Sequence, residues 1–199
     1  MQKIHTMAVG QLQTNCYLVW DDRGDTCAVI DPGDEPEKIL AKAERLGLRV
    51  EAILLTHGHF DHVGGVKALK DATGCSVYLC EEELCLPPQL TAGELVYTHT
   101  YGEGDEMTLA GLRFRVLQTP GHTPGSVCLV TENAMFSGDT LFACSCGRTD
   151  FPGGSWAQMR QSLTRLAQLE TDYTVYPGHG GSTTLAWEAK NNPYMKGTV

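Results

Sequence analysis

Three imidazoles and a carboxylate fall within six residues in Thr56-His57-Gly58-His59-Phe60-Asp61-His62, directly after the apolar run Ala52-Ile53-Leu54-Leu55. Burying these donors so close together would be costly without a cation to balance them. Further donors follow at wide intervals: His122 in Thr119-Pro120-Gly121-His122-Thr123, Asp139 in Ser137-Gly138-Asp139-Thr140, and His179 in Tyr176-Pro177-Gly178-His179-Gly180. Five of the seven histidines lie in these motifs, so the donors suffice for two metal ions rather than one. A structural zinc site usually has four tetrahedral ligands and is rich in cysteine. Seven donors, five His and two Asp, instead fit a two-metal catalytic centre with open positions. Cys144 and Cys146 flank this chemistry; they could bind metal or sense oxidation, but are expected to be buried thiols beside a strand end. His5 and His99 match no motif.

Each donor follows a strand-like segment or sits in a glycine-rich turn, so one edge of a sheet sandwich can collect donors that are far apart in sequence. Glycines 58, 121, 138, 178 and 180 permit close backbone approach there. Strands are expected at Cys16–Trp20, Cys27–Ile30, Val50–Thr56, Arg113–Leu117, Ser126–Val130, Ala134–Phe136 and Tyr173–Tyr176. The pair before and after Glu132-Asn133 reads as a hairpin. The first helix is expected to be capped by Asp34, with Pro36 in its first turn, Ile39, Leu40, Ala43 and Leu46 on one face, and Gly47 as its stop. A second runs from Gly64 to Ala72, with Val66 and Leu69 inward and Gly74 beyond its end. A third, capped by Ser155, carries the stripe Trp156, Met159, Leu163, Leu166 and Leu169. A fourth lies near Thr184 to Lys190, with Trp187 and Tyr194 packing it or lining a pocket. Strand runs interleaved with these helices imply a sheet sandwich with helices outside. The segment from Glu81 to Asp105 is the least patterned. It reads as a loop-rich insertion, with Glu81-Glu82-Glu83 a solvated helix start.

Composition narrows the partners. The chain has 199 residues, 42% of them hydrophobic, enough for a full core in one domain. A net charge of −9 argues against nucleic acid, whose phosphates want a basic face. No apolar run reaches the roughly 18 residues that a membrane span needs. The N-terminus lacks the apolar core of a signal peptide. The eight scattered cysteines read as free thiols, which makes the cytoplasm the expected compartment.

The pattern His-x-His-x-Asp-His, followed by His122, Asp139 and His179, resembles the metallo-β-lactamase superfamily across essentially the whole chain. That resemblance implies an α/β fold, an αβ/βα four-layer sandwich spanning residues 1–199 with its metals at one sheet edge. By the family's pattern His57, His59 and His122 hold one metal; Asp61, His62 and His179 hold the other; and Asp139 bridges both. Asp31 in Asp31-Pro32-Gly33 matches an acid that supports the ligand loops from behind. Asp rather than Cys at position 139 departs from the β-lactamases themselves. Ser137-Gly138-Asp139-Thr140-Leu141-Phe142, with Cys146-Gly147-Arg148-Thr149-Asp150-Phe151-Pro152-Gly153-Gly154, is similar to the glyoxalase II (hydroxyacylglutathione hydrolase) group in its short form. The longer form carries a C-terminal helical domain that binds glutathione; with 20 residues after His179, this chain is expected to lack it.

What the resemblance implies is hydrolysis of a small anionic thioester such as S-lactoylglutathione. The nucleophile would be a hydroxide made available as a metal lowers the pKa of its water to about 7. Asp61 and Asp139 are then catalytic through the metals they hold. Arg148 is the candidate grip on a substrate carboxylate, unless it braces a loop by pairing with Asp150. Zinc is the expected metal, with iron or manganese also suited to these donors. The Cys-Gly-Arg-Thr-Asp-Phe stretch also resembles the persulfide dioxygenases, which use one iron on the same scaffold. A lactonase or a metal-bound interaction module is the third reading. The sequence leaves the oligomeric state open.

Overall fold

A computed structural model describes residues 1–91 and 93–197. Ala92, inside the segment expected to be loop-rich, and the last two positions of the expected domain, Thr198 and Val199, lie outside the described residues. Two six-stranded sheets face each other. In the first, β1 (Gln2–Val9), β2 (Thr14–Asp21) and β3 (Thr26–Ile30) are antiparallel neighbours. The sheet continues in parallel through β4 (Arg49–Leu54), β5 (Ser76–Cys80) and β6 (His99–Tyr101). The second holds β7 (Glu106–Leu109), β8 (Leu112–Gln118), β9 (Val127–Thr131) and β10 (Ala134–Gly138) as an antiparallel meander. A two-stranded ribbon follows, β11 (Leu141–Phe142) with β12 (Ser145–Cys146). β13 (Thr174–Pro177) then pairs parallel to β10, with β14 (Thr183–Thr184) at the edge.

Helices cover both outer faces, and the strand sequences show why. Side chains alternate across a sheet, and adjacent apolar residues feed different layers. Leu18, Val29 and Ile53 pack outward under α1 (Pro36–Arg45) and α3 (Val66–Thr73), while Val19, Ile30 and Leu54 pack between the sheets against Phe114, Leu129 and Phe136. Cys128, Val130 and Met135 form the third layer, under α4 (Trp156–Ala167) and α5 (Leu185–Asn191). Burial of each large side chain is worth about 1.5–3 kcal/mol. The expected four-layer arrangement, helix–sheet–sheet–helix, is therefore what the chain adopts.

Several local expectations need correction. Asp34 does not cap α1: Glu35 takes the cap position in a left-handed conformation (φ 52°), while the Asp34 carboxylate accepts the neighbouring Glu35 N–H. Leu46, expected on the buried face, is exposed at the helix end. The helix expected from Gly64 to Ala72 is α3, which begins only at Val66; a separate single turn before it, α2 (Phe60–Val63), carries Asp61 and His62. β4 stops at Leu54, so Leu55 and Thr56 already belong to the ligand loop. Cys144 is exposed and Cys146 half-buried, rather than both being buried. The run Glu81-Glu82-Glu83 opens a 3₁₀ turn (Glu81–Cys85) whose Glu83 is fully buried rather than solvated. Ser155 does cap α4, its hydroxyl accepting the Gln158 N–H at 3.4 Å.

Candidate metal centre

The seven donors gather at one edge of the sandwich because the strands that deliver them point the same way. β3 and β4 are parallel in one sheet; β8, β10 and β13 share a direction in the other. Asp31 follows β3, the His57–His62 loop follows β4, and His122, Asp139 and His179 follow β8, β10 and β13 in turn. Backbone bonds sew the loops together. Val127 donates to the Thr56 carbonyl at 2.9 Å, Gly178 to the Gly138 carbonyl at 2.8 Å, and Asn15 to the Gly178 carbonyl at 2.7 Å. Gly178 has no alternative here, since a Cβ would lie 2.2 Å from Asp139 Oδ1 and 2.7 Å from His62 Cε1.

Two trios result, with Asp139 between them. Ligand atoms of His57, His59 and His122 all lie within 4.8 Å of one another, and so do those of Asp61, His62 and His179. His59 Nδ1 is 2.8 Å from His122 Nε2. His179 Nε2 is 3.2 Å from Asp61 Oδ2. Asp139 reaches toward both groups: 3.4 Å from His62 Nε2, 3.6 Å from His122 Nε2 and 3.7 Å from His179 Nε2. The structure thus brings every one of the seven expected donors together.

The surroundings set which nitrogen is free. Asp31, itself in the left-handed region (φ 50°), turns its carboxylate beneath the loop. Its Oδ1 accepts the Thr56 N–H at 2.8 Å; its Oδ2 meets the Thr56 hydroxyl at 2.6 Å and His62 Nδ1 at 2.9 Å. His122 Nδ1 donates to the Arg148 carbonyl at 2.7 Å. Both contacts leave the Nε2 lone pair facing the centre, the usual arrangement behind a metal-binding imidazole. Thr14 donates to Asp61 Oδ2 at 3.0 Å. Burial, reinforced by neighbouring imidazoles, holds His57 well below its ordinary value and His59 down to about 4. Burial also lowers His122. On the other trio, burial of His62 is outweighed by Asp139 and Asp31, which raise it, and the Asp61 contact raises His179.

The unsatisfied atoms of the donor set bear on its fit to cations. Among the described residues five buried side-chain atoms make no hydrogen bond, and four belong here: His57 Nε2, His59 Nε2, His62 Nε2 and Asp139 Oδ1. Buried polar atoms are otherwise almost always partnered. His57, His59 and His122 are held toward the neutral form that a divalent ion requires. The carboxylates of Asp61 and Asp139 that raise His62 and His179 would be offset by a second cation in place of those protons, so the residues fit a pair of metals.

A cleft of ≈ 520 Å³ opens over the cluster, lined by Leu12, Phe60, Leu90, Phe142 and Phe151, with Arg148 alongside. The Arg148 guanidinium does not stand free. It forms a two-pronged pair with Asp150, 2.7 Å on each prong, and lies 3.9 Å over the Phe151 ring. The backbone of Arg148, through its carbonyl on His122, touches the site more directly than its side chain does. α5 braces the cleft from behind. Glu188 accepts the Cys144 N–H at 2.9 Å and Asn192 donates to the Ser145 carbonyl at 3.0 Å, fixing the ribbon that carries Phe142. Trp187 is exposed and Tyr194 packs edge-on against Trp156; neither lines the cleft. Sequence reasoning missed Thr14, Phe60, Leu90 and Glu83. Only Phe60 carried a signal, a large apolar residue set among ligands.

A four-layer sandwich with paired His/Asp trios at its edge defines a metallo-hydrolase scaffold. The sequence model of the metallo-beta-lactamase superfamily matches residues 9–179, and the chain belongs to that superfamily. It is similar to the hydroxyacylglutathione hydrolase GloC of Haemophilus influenzae, 36% identical over 96% of this chain and 97% of that protein. Among solved structures it is similar to the BLEG-1 B3 metallo-beta-lactamase (TM-score 0.90, 33% identity, covering 97% of this chain and 99% of that one). It is also similar to TTHA1623 in a di-iron-bound form (TM-score 0.85, 42% identity, covering 96% and 99%).

Proposed function

We propose that this chain is a dinuclear metal-dependent thioester hydrolase acting on S-lactoylglutathione or a related acyl-glutathione. The observation that carries the metal chemistry is the pair of trios bracketing Asp139, a set whose residues include four buried side-chain atoms with no hydrogen bond. Similarity to a hydroxyacylglutathione hydrolase over 96% of this chain supports the substrate class. In this reading His57, His59 and His122 hold one ion, Asp61, His62 and His179 the other, and Asp139 touches both. Bound metals supply Lewis acidity and a hydroxide nucleophile at neutral pH. The chain's own residues then do three things. Asp31 and the Arg148 carbonyl lock His62 and His122 in the ligating tautomer. Phe60, Phe142, Phe151, Leu12 and Leu90 flank the thioester with apolar surface. Arg148 offers its fork to a substrate carboxylate by exchanging Asp150 for it. Zinc is our first assignment, and the di-iron relative makes iron the alternative to measure.

Elemental analysis of the purified protein, combined with a thioester panel and an oxygen electrode, tests this. Two ions per chain and acyl-glutathione turnover without oxygen uptake are expected. One iron per chain with oxygen consumed on glutathione persulfide would replace the reading with a dioxygenase. Hydrolysis of a β-lactam with none of any thioester would overturn the substrate class.

A further inference from the structure

Glu83 stands outside every ligand motif, yet it touches the backbone of both loops that carry the His57/His59/His122 trio. It is fully buried at the start of the segment with the least sequence pattern. Its Oε2 accepts the N–H of Gly58, the residue between His57 and His59, at 2.5 Å. Its Oε1 accepts the N–H of Gly125, three residues past His122, at 2.7 Å. One loop follows the first sheet and the other the second, so a single carboxylate spans the seam between them. Both contacted residues are glycines. A Cβ on Gly125 would lie 2.8–2.9 Å from Glu83 N, Cγ and Oε1, and one on Gly58 would lie 3.0 Å from its Oε2. The same segment adds a second tie, since Phe60 donates its N–H to the Leu90 carbonyl at 2.7 Å.

A buried acid with no ion-pair partner among the described residues is a costly choice for bracing alone. Two charge-assisted bonds to backbone N–H groups offset that cost. Burial pushes the carboxyl up, while Thr123, Gly58 and Gly125 pull it back. We propose that Glu83 is a positioning residue for one metal: by clasping Gly58 and Gly125 it sets the separation of His57 and His59 from His122, and so the affinity of that trio, but not of the Asp61/His62/His179 trio. This rests on the metal-holding part of the proposed function and not on its thioester part. A glutamine at this position accepts through only one of its two terminal atoms. Its NH₂ would confront an N–H, so one loop is released.

The test is cobalt(II) titration of the metal-stripped protein, followed by visible absorption, with His122→Ala and His179→Ala assigning each uptake step to its trio. For Glu83→Gln, with native circular dichroism, the His122-dependent step should weaken about 10- to 100-fold, as loss of a ligand's supporting partner does, while the His179-dependent step moves less than about threefold. Two steps at native affinity would overturn the proposal, as would equal weakening of both, which would make Glu83 a general brace. If Glu83→Gln does not fold, Glu83→Asp, which keeps the charge and shortens the reach, carries the same measurement. Failure of both to fold would assign Glu83 to the fold and refute the positioning role. A native chain that took up no cobalt would refute the metal reading itself, whatever its activity on thioesters.

Discussion

Asp139 is the residue that faces both trios. Its carboxylate faces imidazoles of both, and they hold it below the usual carboxylate range although burial works the other way. Asp139→Ala should therefore empty both positions rather than one. Elemental analysis should find well under one ion per chain, and turnover should fall at least about 100-fold, beyond what loss of a supporting partner costs. Near-native turnover would remove Asp139 from its bridging role. Arg148 makes the opposite kind of prediction, because its exposed pair with Asp150 contributes little to stability. Arg148→Ala should raise KM for an anionic thioester about tenfold with little change in kcat, and Asp150→Asn, which frees the fork, should lower KM. If neither moves KM, the side chain only braces its loop. The clustering of the seven His and Asp residues was legible because residues able to hold a metal are few in kind and their spacing is distinctive. Thr14 and Glu83 were not, because a single hydroxyl or carboxylate bonded to a distant loop leaves no periodic trace. Asp34 misled for a related reason: the backbone angles that decide a cap leave the neighbouring Glu35 at the cap position, in the left-handed region and with no side-chain cap bond.

At the level of elements, α4 both covers a sheet face and presses on the turn before His122. Met159 stands where a Cβ on Gly121 would fall, and Ser162 donates to the Pro120 carbonyl at 2.7 Å. Leu163, on the same buried face, is fully buried in the apolar layer under the second sheet. Leu163→Ala should cost about 2–5 kcal/mol in urea unfolding while leaving the number of bound ions unchanged. Loss of metal in that variant would show that the helix, and not only its N-terminal turns, sets the site. Strands and long helices were readable in advance because their apolar periods of two and three to four residues are repeated enough to stand out. The hairpin at Glu132-Asn133 and the Ser155 cap were read for the same reason, a local signal flanked by period. The Glu81–Asp105 segment has no such period. Apart from β6, which pairs with β5, its described residues are held by what they touch, the His57–His62 loop through Glu83 and Leu90, and tertiary contacts of that sort are invisible to a local reading.

For the molecule as a whole, neither sheet owns a complete trio. His57 and His59 come from the first and His122 from the second; Asp61 and His62 come from the first and His179 from the second. Any ion bound there ties the halves together and adds to the stability of the folded state by mass action, about 2.7 kcal/mol when free metal is 100-fold above its dissociation constant. Stripping the protein with a chelator should lower its melting temperature by about 5–10 °C for a chain of this size, with recovery on adding metal back; an unchanged melting curve would argue that the halves need no such tie. The seam has a further consequence for how the protein is made. A newly synthesised chain in which only the N-terminal sheet has formed presents two prongs of each trio, without the prongs that come last in sequence. It would compete poorly for scarce cations, so ion capture becomes a late checkpoint that only molecules with both halves docked can pass.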